Sequence, residues 1–510
     1  MSLPKWLTPL PNAEQMRAID RWAIERQGVP SLELMERAGE GVARVVEEVA
    51  PDGPVSVVCG KGNNGGDGLV VARLLRDAGR VVTVLSTTPS ELSADAAANL
   101  ARLPGAPPRM LAESMGVLAE SAVIVDALLG TGFEGEPRGT TAEAIKAIGL
   151  ATAAAVVSVD VPSGVDASTG AVAGAAVRAS VTVTFHAAKP GLWIHPGKAF
   201  AGEVRTIDIG IPRGAPAAAM IGLIEPTVAG ELPRRDAAST KFSSGHVVVA
   251  GGSADLSGAP RMTALASARA GAGYVTACLP GSLRPALAGS LLEVMTRPLP
   301  DTDGDLEVEG VPVVLQALDR GGSLALGPGL GRTPGAVAFA RELARQAPVA
   351  MVLDADGLGA HSGRLRELAA REAPTVLTPH AGELGRLLER KSDEIERERL
   401  ASVRTAAERS QAVVVLKGDD TLVAEHSGRV AVSQGRSPAL ATAGSGDVLT
   451  GVIAALLAQG LDAFKAACAG VWLHAQAGRV AAHRQGSVEG VMATDVIAAL
   501  PRSRGGEDLS

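Results

Sequence analysis

Short runs of β-branched and apolar residues recur along this chain, each closed by a glycine- or aspartate-bearing turn and followed by a stretch with helical period. VSVVCG (55–60), VVTVLS (81–86), SAVIVDALLG (121–130) and AVVSVDVPSG (155–164) form a first series. HVVVAGG (246–252), SLALGPGLG, VAMVLDADGL, PTVLTPHAGEL and AVVVLKGDDTLVA form a second, and RVAVSQG adds a hairpin-like strand. Apolar strands alternating with helices demand a mostly parallel sheet covered on both faces, so the chain is α/β. Sites in such sheets gather at the carboxyl ends of the strands. With 510 residues the chain exceeds one ordinary core. Between 211 and 240 the pattern lapses into Pro, Ala and Gly without a period. Two domains are therefore expected, 1–218 and 219–510.

Composition narrows the partners. Hydrophobic residues at 46% and charged residues at 20% mark a globular chain. Aromatics at 2% leave the core to Val, Leu, Ile and Ala and argue against stacking of single-stranded bases. The net charge of −7, without a basic stripe, argues against nucleic acid altogether. Cys59, Cys278 and Cys468 lie far apart and fit no zinc spacing, as expected of a reduced, cytoplasmic protein. The opening MSLPKWLTPLPNAEQM lacks the apolar centre of a signal peptide, and no apolar run is long enough for a bilayer, so no membrane is expected.

In the first half, GKGNNGGDG (60–68) lies between a strand and a helix. Its glycines and asparagines let backbone N–H groups turn toward an anion, with a nucleotide phosphate as the natural guest. A plain strand–helix turn would need only one or two of those glycines. DALLGTGFEG (126–135) and DVPSGVD (160–166) each carry an Asp out of a strand. Asn64, Asp126 and Ser163 offer hard oxygen ligands that suit an alkali or alkaline-earth cation. Asp160 can act as acid or base at a bound ligand. Singly, each Asp is as well explained as a helix cap.

In the second half, AGSGDVLTG (443–451) opens a helix, so the backbone donors of Ser445 to Asp447 face a developing negative charge. Asp447 is placed to take a proton from an attacking hydroxyl, as phosphoryl transfer requires; the bland alternative is an acidic residue favoured by the helix dipole. KGDDT (417–421) offers Lys417 for phosphate and Thr421 for ribose or phosphate. TPHAGEL presents His380 and Glu383, GPGLG (327–331) permits close backbone approach, and Ala259 stands near the start of a helix. Asp354 and Asp356 read equally as a magnesium shell or as caps.

LELMERAG (32–39), GKGNNGGDG, DALLGTGFEG and DVPSGVD occur in the order seen in NAD(P)H-hydrate epimerases, which the chain resembles over roughly residues 10–210. The resemblance implies a Rossmann-like three-layer α/β/α domain. It implies that Asn63, Asn64, Gly65, Gly66 and Asp67, with Gly130, Thr131, Gly132, Phe133, Glu134, Gly135 and Glu136, hold the dinucleotide. Asn64, Asp126 and Ser163 would bind potassium, and Asp160 would contact the substrate as proton carrier. ATAGSGDVL and TPHAGEL resemble the ADP- or ATP-dependent NAD(P)H-hydrate dehydratases, of ribokinase-like α/β fold, over about residues 235–500. By that resemblance Lys417, Gly418, Asp419, Asp420, Thr421 and Gly446 bind the adenine nucleotide with Mg2+. Ala259, Gly329, His380 and Asp447 would line the hydrated nicotinamide. LDADGLGA departs from the DADALN of such relatives and leaves the role of that turn open. The resemblance implies repair of NADHX and NADPHX by epimerisation and ADP-dependent dehydration, in a homo-oligomer. The competing readings are a ribokinase-like small-molecule kinase with a nucleotide-binding N-terminal domain, and a nucleotide-binding sensor without turnover.

Overall fold

The computed structural model describes residues 3–88, 91–215, 219–435 and 437–505. The chain falls into two compact units. One comprises Met1–Leu3 and Pro9–Gly222; the other comprises Pro4–Thr8 and Leu223–Ser510. The expected boundary after 218 abuts residues 216–218, which lie outside the described ones.

The first unit is built on seven strands: β1 (Val55–Cys59), β2 (Val82–Ser86), β3 (Arg109–Met110), β4 (Val123–Ala127), β5 (Ala155–Val159), β6 (Val181–Phe185) and β7 (Glu203–Ile207). Their order is β3-β2-β1-β4-β5-β6-β7, every pair parallel. Side chains alternate between the two faces of a strand. Val55, Val57 and Cys59 enter one core with Met16, Ile19 and Ala23 of the helix Ala13–Glu25 and Leu34, Ala38 and Val42 of the helix Ser31–Val49. Val58, Ile124 and Val156 enter the opposite core with Ala144, Ile145 and Ile148 of the helix Gly139–Leu150. Apolar residues on both faces of each strand thus force helices onto both sides, the three-layer α/β/α expected. The strand order reverses at β1, which opens a crevice between the carboxyl ends of β1 and β4.

The second unit repeats the principle with β8 (His246–Ala250), β9 (Tyr274–Pro280), β10 (Met295–Leu299), β11 (Ser323–Leu326), β12 (Ala350–Leu353), β13 (Thr375–Leu377), β14 (Val413–Leu416), β15 (Leu422–Ala424) and β16 (Val430–Val432). The order is β16-β15-β14-β13-β12-β11-β8-β9-β10. Strands from β14 to β10 are parallel, whereas β14, β15 and β16 form an antiparallel meander. Leu7–Pro9 and Ile221–Ile224 complete the edge beyond β16. The strand Ile221–Ile224 lies inside the stretch read as featureless: its four residues are all buried, but too few to establish a period between flanking prolines and glycines. No helix among the described residues is long and apolar enough to cross a membrane.

Candidate active sites

In the first unit the helix Asn63–Asp77 begins inside the segment read as a loop, with Gly62 as its N-cap. None of the glycines from Gly60 to Gly68 takes a positive φ. Their smallness serves close packing instead. A methyl group on Gly65 would strike the carbonyl of Gly60, and one on Gly66 would lie 2.8 Å from Met35. The N-terminus of this helix therefore sinks against the sheet and delivers Asn63, Asn64 and Asp67 to a cleft of about 790 Å³.

Gly130, Thr131, Gly132, Phe133 and Glu134 line the facing wall, with Asp160 and Lys189. Gly65 and Gly66 are buried behind the helix start, and Gly135 and Glu136 are not among the described residues that line the cleft. Asp160 leaves β5 at φ +68°, an uncommon backbone for a residue with a side chain, which turns its carboxylate into the site. Oδ2 accepts from the Thr131 N–H (2.9 Å) and Oγ (2.5 Å), and Oδ1 from the Lys189 ammonium (2.7 Å) and Thr184 (3.3 Å). Burial pushes this carboxyl up, but Lys189 and the Thr131 donors outweigh it and hold Asp160 below the usual carboxylate range. Asp160 is thus an ionised base at neutral pH.

Lys189 is 1% exposed and escaped the sequence reading. Its signal was a lone lysine in HAAKPGL, directly after an apolar strand. Asp67 is buried, and burial together with Asp160 and Asp20 pushes its carboxyl well up. Asp126 and Ser163 lie in the protein beneath the cleft. The Asp126 carboxylate is fully buried and accepts from Ser163 N (2.9 Å), Ser163 Oγ (2.6 Å) and Ser158 Oγ (2.8 Å). Burial raises its pKa and these neutral donors only partly offset it. Asn64 faces Gly130, and its Nδ2 is buried without a partner.

In the second unit, residues following β8, β11, β12, β13 and β14 converge. Gly329, at φ +64°, leaves room for the Leu256 carbonyl and Ala259. The Thr263 hydroxyl, 3.1 Å from the carbonyls of both Ala259 and Asp447, ties the helix Gly258–Arg269 to the helix Ser445–Ala458. Ala259, Gly329 and Asp447 are thereby brought together. Lys417 donates to Asp354 (2.9 Å) and lies 3.7 Å from Glu383. Burial would lower its pKa, but those two carboxylates prevail and raise it. Asp447 is pushed up to about 7 by burial and by Asp354, against the pull of Lys417.

Several expectations need correction here. Asp354 stands at the N-cap position of the helix Ala355–Gly359 but makes no capping hydrogen bond with its side chain, whose carboxylate accepts instead from Lys417 and from Thr450 (2.7 Å). Asp356 accepts from Gly331 N–H (3.1 Å) and Arg332 (2.9 Å). His380 is the N-cap of the helix Ala381–Leu388, its Nδ1 accepting from the Gly382 and Glu383 amides while Glu383 closes a capping box. The Ser445 amide is already taken by the Thr442 carbonyl (3.3 Å), which leaves Gly446 and Asp447 as the open donors of that first turn.

A second cleft, of about 600 Å³, is lined by Lys417, Gly418, Asp419, Thr421 and Gly446, with His474 and Leu440. Asp420 is not among its described lining. It is 1% exposed and paired with Arg399 through two contacts of 2.9 and 3.0 Å, so it braces the turn rather than facing the cleft.

A family model described as NAD(P)H-hydrate dehydratase matches residues 247–502, and one described as YjeF-related protein N-terminus matches residues 31–191. The chain is 42% identical to the bifunctional NAD(P)H-hydrate repair enzyme Nnr of Salinibacter ruber, covering 97% of this chain and 96% of that one. Nnr of Moorella thermoacetica is 40% identical, with 96% of each chain covered. Among solved structures, the ADP/ATP-dependent NAD(P)H-hydrate dehydratase of Bacillus subtilis, co-crystallized with ATP/Mg2+, is 29% identical. It covers 54% of this chain and 94% of its own, with a TM-score of 0.48. The chain belongs to the family of bifunctional NAD(P)H-hydrate repair enzymes.

Proposed function

We propose that the first unit interconverts the epimers of hydrated NADH and NADPH at C6, and that the second dehydrates the S epimer at the expense of ADP, giving AMP and phosphate. The observation that carries this reading is the pair of carboxylate–lysine sites in one chain. Each lies at the carboxyl ends of parallel strands beside a cleft of nucleotide size. One carboxylate is held low by Lys189 and the other is tuned near neutrality.

In the second unit Asp447, at about 7, takes the proton of the C6 hydroxyl as it attacks the β-phosphate of ADP. Lys417 and the Gly446 amide offset the charge in transfer. Phosphate then leaves in place of hydroxide, a C5 proton is lost, and the C5=C6 double bond returns. Lys417, Gly418, Asp419, Thr421 and Gly446 hold the nucleotide, and Ala259, Gly329 and Asp447 receive the ring, with His380 at its edge. Mg2+ fits as an ion carried in with the ADP phosphates, because Asp354 and Asp356 are already engaged by protein donors.

In the first unit Asn63, Asn64, Asp67 and Gly130–Glu134 hold the dinucleotide, and Asp160 moves the proton. Potassium fits the oxygen donors Asp126, Ser163 and Asn64. Asp126 is a buried carboxylate whose hydrogen-bond donors are all neutral, and the Asn64 amide, turned about its axis, presents an oxygen. Potassium would supply a fixed positive charge beneath the cleft. The three cysteines are buried and free of disulfides, in keeping with a reducing cytoplasm.

The test is incubation of the protein with mixed NADHX epimers, Mg2+, K+ and ADP, following NADH absorbance. NADH should return from both epimers, from one only in Asp160→Ala, and from neither in Asp447→Ala. A stable phosphorylated product without NADH would instead establish a small-molecule kinase.

A further inference from the structure

Asp20 belongs to none of the motifs that define the first cleft, yet it lines that cleft together with Asp160 and Lys189. It sits on the helix Ala13–Glu25, whose place is fixed twice over. Asn12 and Gln15 form a capping box at its start, and the Ala13 amide donates to Ser168 Oγ (3.0 Å). Met16, Ile19 and Ala23 anchor the same helix in the core. Asp20 interrupts that apolar stripe one turn after Met16, where a hydrophobic residue would be expected from the helical period. A carboxyl group half-buried there without a hydrogen-bond partner costs stability, a cost that a role in the cleft would account for. Among the described residues nothing hydrogen-bonds the Asp20 carboxyl group, whereas Asp160 has four donors within 3.3 Å.

We propose that Asp20 is the acid partner of Asp160 in epimerisation, delivering a proton to the C6 hydroxyl of the hydrated nicotinamide. This rests on the epimerase reading of the first unit. The hydroxyl stands on the carbon bonded to N1, so protonation lets it leave as water while the N1 lone pair forms an N1=C6 iminium. Water adds to C6 from the opposite ring face, the π pair returns to N1, and Asp160 takes the proton that the new hydroxyl loses. One water leaves and one enters; one proton is given and one is taken. The proton then returns from Asp160 to Asp20 through the water of the cleft, so that the only net change is the configuration at C6. In the reverse direction the two carboxyl groups exchange roles.

The surroundings of the two groups support unlike protonation states at one cleft, as an acid–base pair requires. Burial raises Asp20 to about 6, Lys189 opposing and Asp160 reinforcing the rise. The other charged groups facing the cleft are Asp67, Arg17, Lys61 and Glu134.

Asp20→Asn and Asp20→Glu, assayed in the full chain by chiral separation of the NADHX epimers, test this. The expected result is a fall in epimerisation kcat of about 100-fold or more in Asp20→Asn, the size of a lost general acid. NADHX affinity should stay within about threefold, and Asp20→Glu should recover at least roughly a tenth of the rate. Because the acid must be protonated, kcat/KM of the native protein should fall as pH rises through about 6, and that limb should vanish in Asp20→Asn. Dehydratase turnover in the same chain controls for folding. An Asp20→Asn rate within about threefold of native, or a loss of affinity as large as the loss of rate, would overturn the proposal. A native protein that does not epimerise NADHX would instead overturn the epimerase reading itself.

Discussion

Lys189 and Lys417 answer the same electrostatic problem in two places. Each is a lysine of an active site, held against an aspartate that leaves a parallel strand: Asp160 at 2.7 Å and Asp354 at 2.9 Å. Removing one partner of a buried pair leaves an uncompensated charge and costs about 3–5 kcal/mol. Lys189→Met should therefore lower the urea midpoint of the protein and raise the Asp160 pKa, because burial then acts unopposed on the carboxyl. Epimerisation should fall about 100-fold, the size of a lost acid–base contribution; a variant with native rate and midpoint would refute the pairing.

Asp447 behaves differently, because burial, reinforced by Asp354, pushes it up to about 7. As a base it works only when ionised, so dehydratase kcat/KM should rise with pH through about 7. Asp354→Asn removes the like charge that raises it most and should move that limb to lower pH. A limb that stays in place would assign it to another group.

Two kinds of glycine use separate the elements of these sites. At Gly329 and Gly444 a positive φ is required, whereas at Gly65 the demand is proximity, since any Cβ would collide with the Gly60 carbonyl. The helix Asn63–Asp77 can rest its first turn against the end of β1 only while residue 65 has no side chain. Gly65→Ala should displace that turn, cost upwards of about 1–3 kcal/mol as an overpacked site, and abolish epimerisation. Dehydratase turnover by the same protein should persist. Retained epimerisation would mean that the helix start tolerates displacement. The turn Lys417–Thr421 is braced from behind by a buried Arg399–Asp420 pair, which explains why only part of the KGDDT string faces the cleft.

At the scale of the whole chain, the two proposed chemistries are complementary, since the epimer that the second unit leaves is the one that the first unit converts, and exchange through solution is the simplest link between them. Asp160→Ala and Asp447→Ala proteins mixed in one vessel should therefore return NADH from both epimers, though neither does alone; failure of the mixture would demand transfer within one molecule. The alternation of strand and helix, the parallel sheets, the two units and the glycine-rich turns were determined by the sequence alone, because each is written in contiguous residues whose period and turn chemistry act locally. So were the places of Asp160, just past an apolar strand, and Asp447, in the first turn of a helix. What tertiary structure decided was which side chains meet. Lys189 lies 29 residues beyond Asp160, Arg399 lies on a helix before the turn it braces, and Asp20 reaches its cleft from a helix far upstream. His380 and Asp354 turned out to spend their polar atoms on a cap and on an ion pair. No local pattern records such pairings, because burial makes a charge seek whatever partner the packed sheet brings within about 3 Å, regardless of its distance along the chain.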